Sequence, residues 1–170
     1  MNEIIIKPLE GIEIKGILNS KIISFGMDKK DIIKILGNPE SIEENEYDKY
    51  DTFYYSNNFL QLSFSINIGK LSYVEIFHHY PNKIIFNKIE IFKTKSSTLV
   101  EIFKKEHIIN SKNPEVGYSY IYNDIELSLW RPSIPEKILE DTGENDYEKG
   151  IYFTTVGIGE KGTWSNYNFD

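Results

Sequence analysis

Between Leu60 and Asn67 the chain reads LQLSFSIN, so that Leu60, Leu62, Phe64 and Ile66 alternate with Gln61, Ser63, Ser65 and Asn67. Successive side chains leave a strand on opposite sides, and this alternation commits the stretch to a strand with one buried face. Asn57 and Asn58 before it, and Asn67 to Gly69 after it, are turn signals. The prediction is a three-stranded antiparallel meander over residues 52–56, 59–66 and 70–78. Ahead of it lies FGMDKKDIIKILGNPE, residues 25–40. Asp28 and Asp31 mark a helix start in a variant of the capping box, and Ile32, Ile33 and Leu36 fall on one side with Met27 a turn earlier. Gly37 and Pro39 mark the stop.

A diverged copy of this unit recurs. Phe25 matches Phe92, Ile32 matches Leu99, Ile33 matches Val100 and Leu36 matches Phe103, at an offset of 67 positions. In the strands the sequence aligns at an offset of 65: Phe53 with Tyr118, Tyr55 with Tyr120, and Leu60, Leu62 and Phe64 with Ile125, Leu127 and Leu129. A third strand, GIYFTTVGIG, closes the second unit after an acidic insertion at 131–149. Upstream, IIIKPLEGIEI and KIIFNKIEIF read as matching lead-in strands. Self-similarity at a fixed spacing bears on the whole fold. The expected class is α+β: two diverged units of a helix plus a three-stranded antiparallel meander, helices packed on the sheet. Residues 1–170 would then form a single compact domain of two pseudo-repeats, about 1–80 and 81–170. Its expected core is Ile32, Ile33, Leu36, Leu62, Phe64, Leu99, Phe103, Ile125, Leu127 and Leu129.

The helix-then-meander unit, with its Gly-Met start and Leu-Gly-x-Pro stop, resembles the small modules of the outer-membrane assembly lipoprotein BamE. Doubled, it resembles the β-lactamase inhibitor proteins built from two such modules. In style, as a small, acidic, cysteine-free, β-rich chain, the sequence also resembles the immunity proteins of bacterial polymorphic toxin systems. These resemblances imply a protein that acts by binding another protein.

Composition narrows the chemistry. The 170 residues contain no cysteine, which removes disulfides, zinc–thiolate sites and thiol nucleophiles and fits a cytoplasmic setting. There is no basic-then-apolar leader and no apolar run long enough to span a bilayer. The net charge of −7 repels a phosphate backbone and steers toward a basic protein, so no nucleic acid and no membrane are expected as partners. Arg131 is the one arginine.

Candidate chemistry is sparse. Glu75, His78 and His79 bring a carboxylate and two imidazoles close in sequence, but neighbours on a strand face apart and cannot share one metal ion. The acids Glu43, Glu44, Glu46 and Asp48 lie in one loop, and Glu140, Asp141, Glu144, Asp146 and Glu148 lie in the insertion. Runs of acids in polar loops are solvated, whereas a general acid needs a dry pocket. GIGEKG at 157–162 follows a strand with no helix behind it and makes no phosphate cradle. Ser133 and Glu136 around Pro135 form a capping box for a helix over 134–142, docked by Ile138 and Leu139.

The sequence therefore points to a cytoplasmic immunity or inhibitor protein, not an enzyme, that neutralises a basic toxin or enzyme by occluding it. The expected partner-binding residues are Glu43, Glu44, Glu46, Asp48, Trp130, Glu140, Asp141, Glu144 and Asp146, with no catalytic residue, metal or cofactor. The alternatives are a small hydrolase-type enzyme using Glu75, His78 and His79, and a self-associating scaffold.

Overall fold

The computed structural model describes residues 3–16, 19–44, 50–79, 81–135 and 148–164. Along the chain run β1 (Glu3–Lys7), β2 (Gly11–Lys15), β3 (Ser20–Ser24), α1 (Lys29–Leu36), β4 (Ser41–Glu43), β5 (Tyr50–Tyr55), β6 (Leu60–Ser65) and β7 (Lys70–Phe77). There follow β8 (Lys83–Phe86), β9 (Ile89–Glu90), α2 (Ser96–Glu106), β10 (Ser119–Tyr122), β11 (Leu127–Trp130) and β12 (Thr155–Gly159). The strands form a five-stranded sheet, β3-β2-β1-β8-β9, and a seven-stranded sheet, β10-β11-β12-β7-β6-β5-β4.

The α+β expectation is overturned. Among the described residues the chain is mostly β, with twelve strands in two sheets and two helices of 8 and 11 residues. Two long-range pairings that no local pattern announces produce the difference. Parallel pairing of β1 with β8 joins the N-terminal hairpin to a second hairpin and makes a separate sheet. Antiparallel pairing of β7 with β12 fuses the two runs of strands into one sheet. No helix among the described residues is long and apolar enough to cross a membrane.

Pairing in the large sheet is symmetric about Glu75 and Gly157, which face each other across β7 and β12. Outward from that pair, Gln61 and Ser128 take equivalent places, then Tyr54 and Ile121. The isolated bridges Asp28–Lys70 and Lys95–Tyr152 lie equivalently at the two helix starts. Asp28 and Lys95, Tyr54 and Ile121, and Gln61 and Ser128 are each 67 positions apart. The ladder thus corrects the 65-residue strand offset: Leu60 corresponds to Leu127, and Leu62 to Leu129. A two-residue slip leaves every side chain on its own face, and hydrophobic alternation cannot register it.

Both sheets turn apolar faces inward. Ile4, Ile6, Ile12, Ile23, Ile84 and Phe86 of the smaller sheet share one core with Phe53, Leu62, Phe64, Val74, Ile76, Leu129 and Ile158 of the larger. From the helices, Ile32, Leu99 and Phe103 are buried in the same core, whereas Ile33, Leu36 and Ile125 are only partly buried against it. Phe103 of α2 meets Phe86 of the small sheet at 5.2 Å between ring centroids and Tyr122 of the large one at 5.1 Å. The capping box at α1 is not made. Asp28 is extended and its carboxylate accepts from Lys70 at 2.9 Å, while Asp31 accepts from Lys34 at 2.8 Å. Gly37 ends the helix as its sequence demands, with φ of 91° and its N–H donating to Ile33 O.

Candidate partner-binding face

Inward-facing residues fix which side chains point outward, because each strand alternates. The outward face of the large sheet carries three rows. One crosses Ser41, Tyr54, Gln61, Glu75, Gly157, Ser128 and Ile121. A second crosses Glu43, Thr52, Ser63, Tyr73 and Gly159, and a third Phe77, Thr155, Trp130 and Ser119. Trp130 remains 41% exposed and Tyr50, at one margin, 40%.

Charge on this face is held in place. Glu43 accepts a hydrogen bond from the Tyr54 hydroxyl at 2.5 Å, and this bond, with burial, pushes the phenol up to about 12. Glu75 stands at the centre of the sheet, where burial raises its carboxyl above the usual range. Beside it the Tyr73 hydroxyl lies deep enough that burial raises it strongly. The chain leaves room for that hydroxyl only because residue 157 is glycine: a Cβ there would lie 1.9 Å from Tyr73 Oη and 2.6 Å from Ser128 Oγ.

The segment after β12 folds back over one margin of the face. Glu126, 1% exposed and at φ 49°, accepts from the Gly162 N–H at 2.9 Å and the Trp164 N–H at 2.5 Å. Trp164 consequently stands edge-on to Tyr73, with ring centroids 5.9 Å apart. Tyr50, Tyr73, Thr163 and Trp164 line a recess of about 210 Å³.

Glu43 and Trp130 both point to this side but stand five strands apart, about 24 Å at the usual interstrand spacing. Glu44 is exposed just beyond β4. Glu46, Asp48, Glu140, Asp141, Glu144 and Asp146 lie outside the described residues, as do Glu136, Ile138 and Leu139 of the expected 134–142 helix. Tyr54, Tyr73, Glu126 and Trp164 were not anticipated. The turn-rich run Asn123-Asp124 before Glu126 is the one local cue, and it gives no hint of the amides that the carboxylate caps.

Glu75, His78 and His79 do not converge. Glu75 lies on the outward face, the His78 ring stands edge-on to buried Phe92 at 5.4 Å, and the His79 ring tilts against Phe59 at 5.8 Å. His107 is paired with Asp124, Nδ1 to Oδ2 at 2.8 Å. Its Nε2 is buried without a hydrogen-bond partner, and the ring is packed among Phe86, Phe103 and Tyr122. A ring nitrogen sealed in this way has no route to a substrate, and the pair clamps the end of α2 to the β10–β11 turn. Among the described residues no three His, Asp or Glu side chains are grouped to hold a metal ion. In GIGEKG, Gly157 and Gly159 belong to β12 and the Gly162 N–H serves Glu126.

No protein-family model matches the chain, and no curated protein does. Among solved structures, an extracellular protein containing an SCP domain from Bacillus anthracis is similar at 12% identity and a TM-score of 0.42. The similarity covers 81% of this chain, which spans 44% of that protein's length.

Proposed function

We propose that this protein is a binding module of the immunity or inhibitor kind, acting in the cytoplasm without a cofactor, which occludes a basic partner with the outward face of its seven-stranded sheet. The observation that carries this reading is the half-exposed Trp130, on the same face as Glu43 and Glu75. An aromatic side chain on a regular sheet supplies contact area at little entropic cost, and such anchors dominate interface energies. The surrounding acids, with a net charge of −7, would speed encounter with a cationic surface. Glu75 fits the same reading, since a carboxylate already half-removed from water loses less hydration when a lysine or arginine covers it.

The test is to express the products of the genes on either side of its own, select any that is basic, and measure its binding to the purified chain by calorimetry and by inhibition. Trp130→Ala should weaken the complex by about thirtyfold or more, the mark of an anchor residue. Reversing Glu140, Asp141, Glu144 and Asp146 together should slow association at low salt while leaving the dissociation rate nearly unchanged. Equal affinity for the Trp130 variant would remove this face from the interface. An acidic partner would remove the electrostatic argument.

A further inference from the structure

On the other side of the large sheet, at one end of the core, the two sheets fail to close on each other. Ile4 and Ile14 from the small sheet, Tyr55 and Leu60 from the large one, Phe59 from the turn between β5 and β6, and Leu36 from α1 line a cleft of about 340 Å³. Ile4, Tyr55, Phe59 and Leu60 are core residues, Ile4 at 1% exposed and Leu60 at 4%, and Ile14 and Leu36 are partly buried against them. The cleft is held open by what surrounds it. The Tyr55 hydroxyl is tied to Gly37 O at 3.1 Å. Ser56, Asn57 and Asn58, the β5–β6 turn at the mouth, are all left-handed, and the Asn57 N–H donates to the Glu40 carboxylate at 2.6 Å. Left-handed backbone at non-glycine residues persists where surrounding contacts enforce it.

The mouth carries one cation in an unusual place. In the register of the small sheet Ile4 pairs with Ile14, and Ile14 with Lys21, so these three side chains share the core-facing side. The edge strand β3 thus presents Lys21 inward at the cleft and Ile22 outward at 51% exposure, the reverse of what burial favours. Among the described residues Lys21 is one of several lysines that make no ion pair, so its charge at the mouth is not neutralised by a carboxylate of the chain. Asn19 and Ser56 complete a polar rim around an apolar interior. Apolar walls with a few convergent polar groups are how small-molecule sites are built.

We infer that this cleft binds a small amphipathic carboxylate, its apolar body between the sheets and its anionic head at Lys21 and Asn19. The volume, about eleven water-sized shares of ~30 Å³, suits a body of roughly ten heavy atoms. The inference is independent of the partner-binding face, which lies on the opposite side of the large sheet.

Sodium octanoate is the probe, with octan-1-ol and octylammonium beside it, titrated into the full chain by calorimetry and by amide NMR. Octanoate should bind one to one and shift the amides of Ile14, Lys21 and Leu36. Octanol should bind at least tenfold more weakly, and octylammonium more weakly still. Lys21→Gln, at an exposed position, should cost octanoate about tenfold or more, the range of a hydrogen bond to a charged group, and leave octanol unaffected. Leu36→Phe should weaken octanoate and octanol alike. The absence of shifts at those amides up to about 10 mM octanoate, where even a poorly efficient ligand of this size registers, would overturn the site. Equal binding of octanoate and octylammonium to the natural chain, or of octanoate to the Lys21→Gln variant, would also overturn it, leaving Lys21 as a charge that only discourages edge-to-edge pairing of β3.

Discussion

Replacing Arg131 by lysine tests how the second half of the chain is tied together. Arg131 is 3% exposed, and its guanidinium reaches three segments at once. Nε donates to Gly117 O at 2.7 Å, and Nη1 donates to Ser96 Oγ at 2.8 Å and to Gly150 O at 3.0 Å. Ser96 Oγ in turn donates to Gly150 O at 3.0 Å, so that carbonyl keeps a donor when the guanidinium is lost, while Gly117 O loses the one described above. A lysine ammonium is a point charge at the end of a flexible stem and cannot span three acceptors placed for a planar fork. The Gly117 carbonyl is only part-buried and can turn to water, so the loss is one or two charge-assisted bonds, about 2–4 kcal/mol. In a chain of this size each kcal/mol moves the melting temperature by about 2–4 °C, and the Arg131→Lys variant should melt roughly 4–16 °C lower. Differential scanning calorimetry at neutral pH checks it, with Ser96→Ala alongside to show whether the two side chains act as one network. A melting temperature within about 2 °C of the natural protein would refute the reasoning, because a fork that can be dismantled at no cost was not holding the segments.

Leu62→Ala should cost about 2–5 kcal/mol in urea denaturation, since this fully buried side chain sits at the middle of β6; an unchanged midpoint would displace it from the core. Gly157→Ala should expel Tyr73 from its place beside Ser128 and, through Tyr73, disturb Trp164, which a changed tryptophan emission spectrum together with a lower melting temperature would register. Burial raises the Asp124 carboxyl, but the bonds from His107 and the Ile108 amide outweigh it and hold the group below its ordinary 3.8. A depressed carboxyl contributes stability above its unfolded value and loses it as pH falls through the lower folded one; Asp124→Asn should therefore be less stable than the natural protein at pH 7 and equal to it once the acid is protonated, as urea midpoints across pH will show. Glu75 carries the opposite sign: burial raises it, its ionised form opposes folding, and Glu75→Gln should stabilise the free protein at pH 7 by an amount that vanishes as pH falls below the carboxylate range.

Local features were legible in the sequence and long-range ones were not. The alternation of Leu60, Leu62 and Phe64 locates β6, Gly37 ends α1 with the left-handed backbone that glycine permits, and Leu99 and Phe103 are core residues at helical spacing. Each depends on neighbours a few residues away. Asp28 shows the limit: its sequence position suits an N-cap, but Lys70, 42 residues on, takes the carboxylate. The same limit hid the five-stranded sheet, because the isoleucines of β1 and β8 announce strands but not that they pair in parallel across most of the first half of the chain. In the candidate face, Trp130 was legible, because it follows Leu127, Ser128 and Leu129 in alternation and so falls on the polar side with Ser128. Tyr73 and Trp164 were not, because their meeting depends on Glu126 capping amides 36 and 38 residues away.

The position of β12 has a consequence for how the protein is made. It stands between β11 and β7, in the interior of the large sheet, though it is synthesised after both. While translation proceeds, β5, β6 and β7 can close against one another, but β7 must wait with one edge unsatisfied, and β10 and β11 have nothing to attach to. Only when residues 155–159 clear the ribosome can the gap be filled and the sheet become continuous. Folding of the large sheet is therefore a late, high-contact-order event, and a nascent chain stalled before residue 155 would expose the bare edge of β7 to any other strand, its own sister chains on the polysome included.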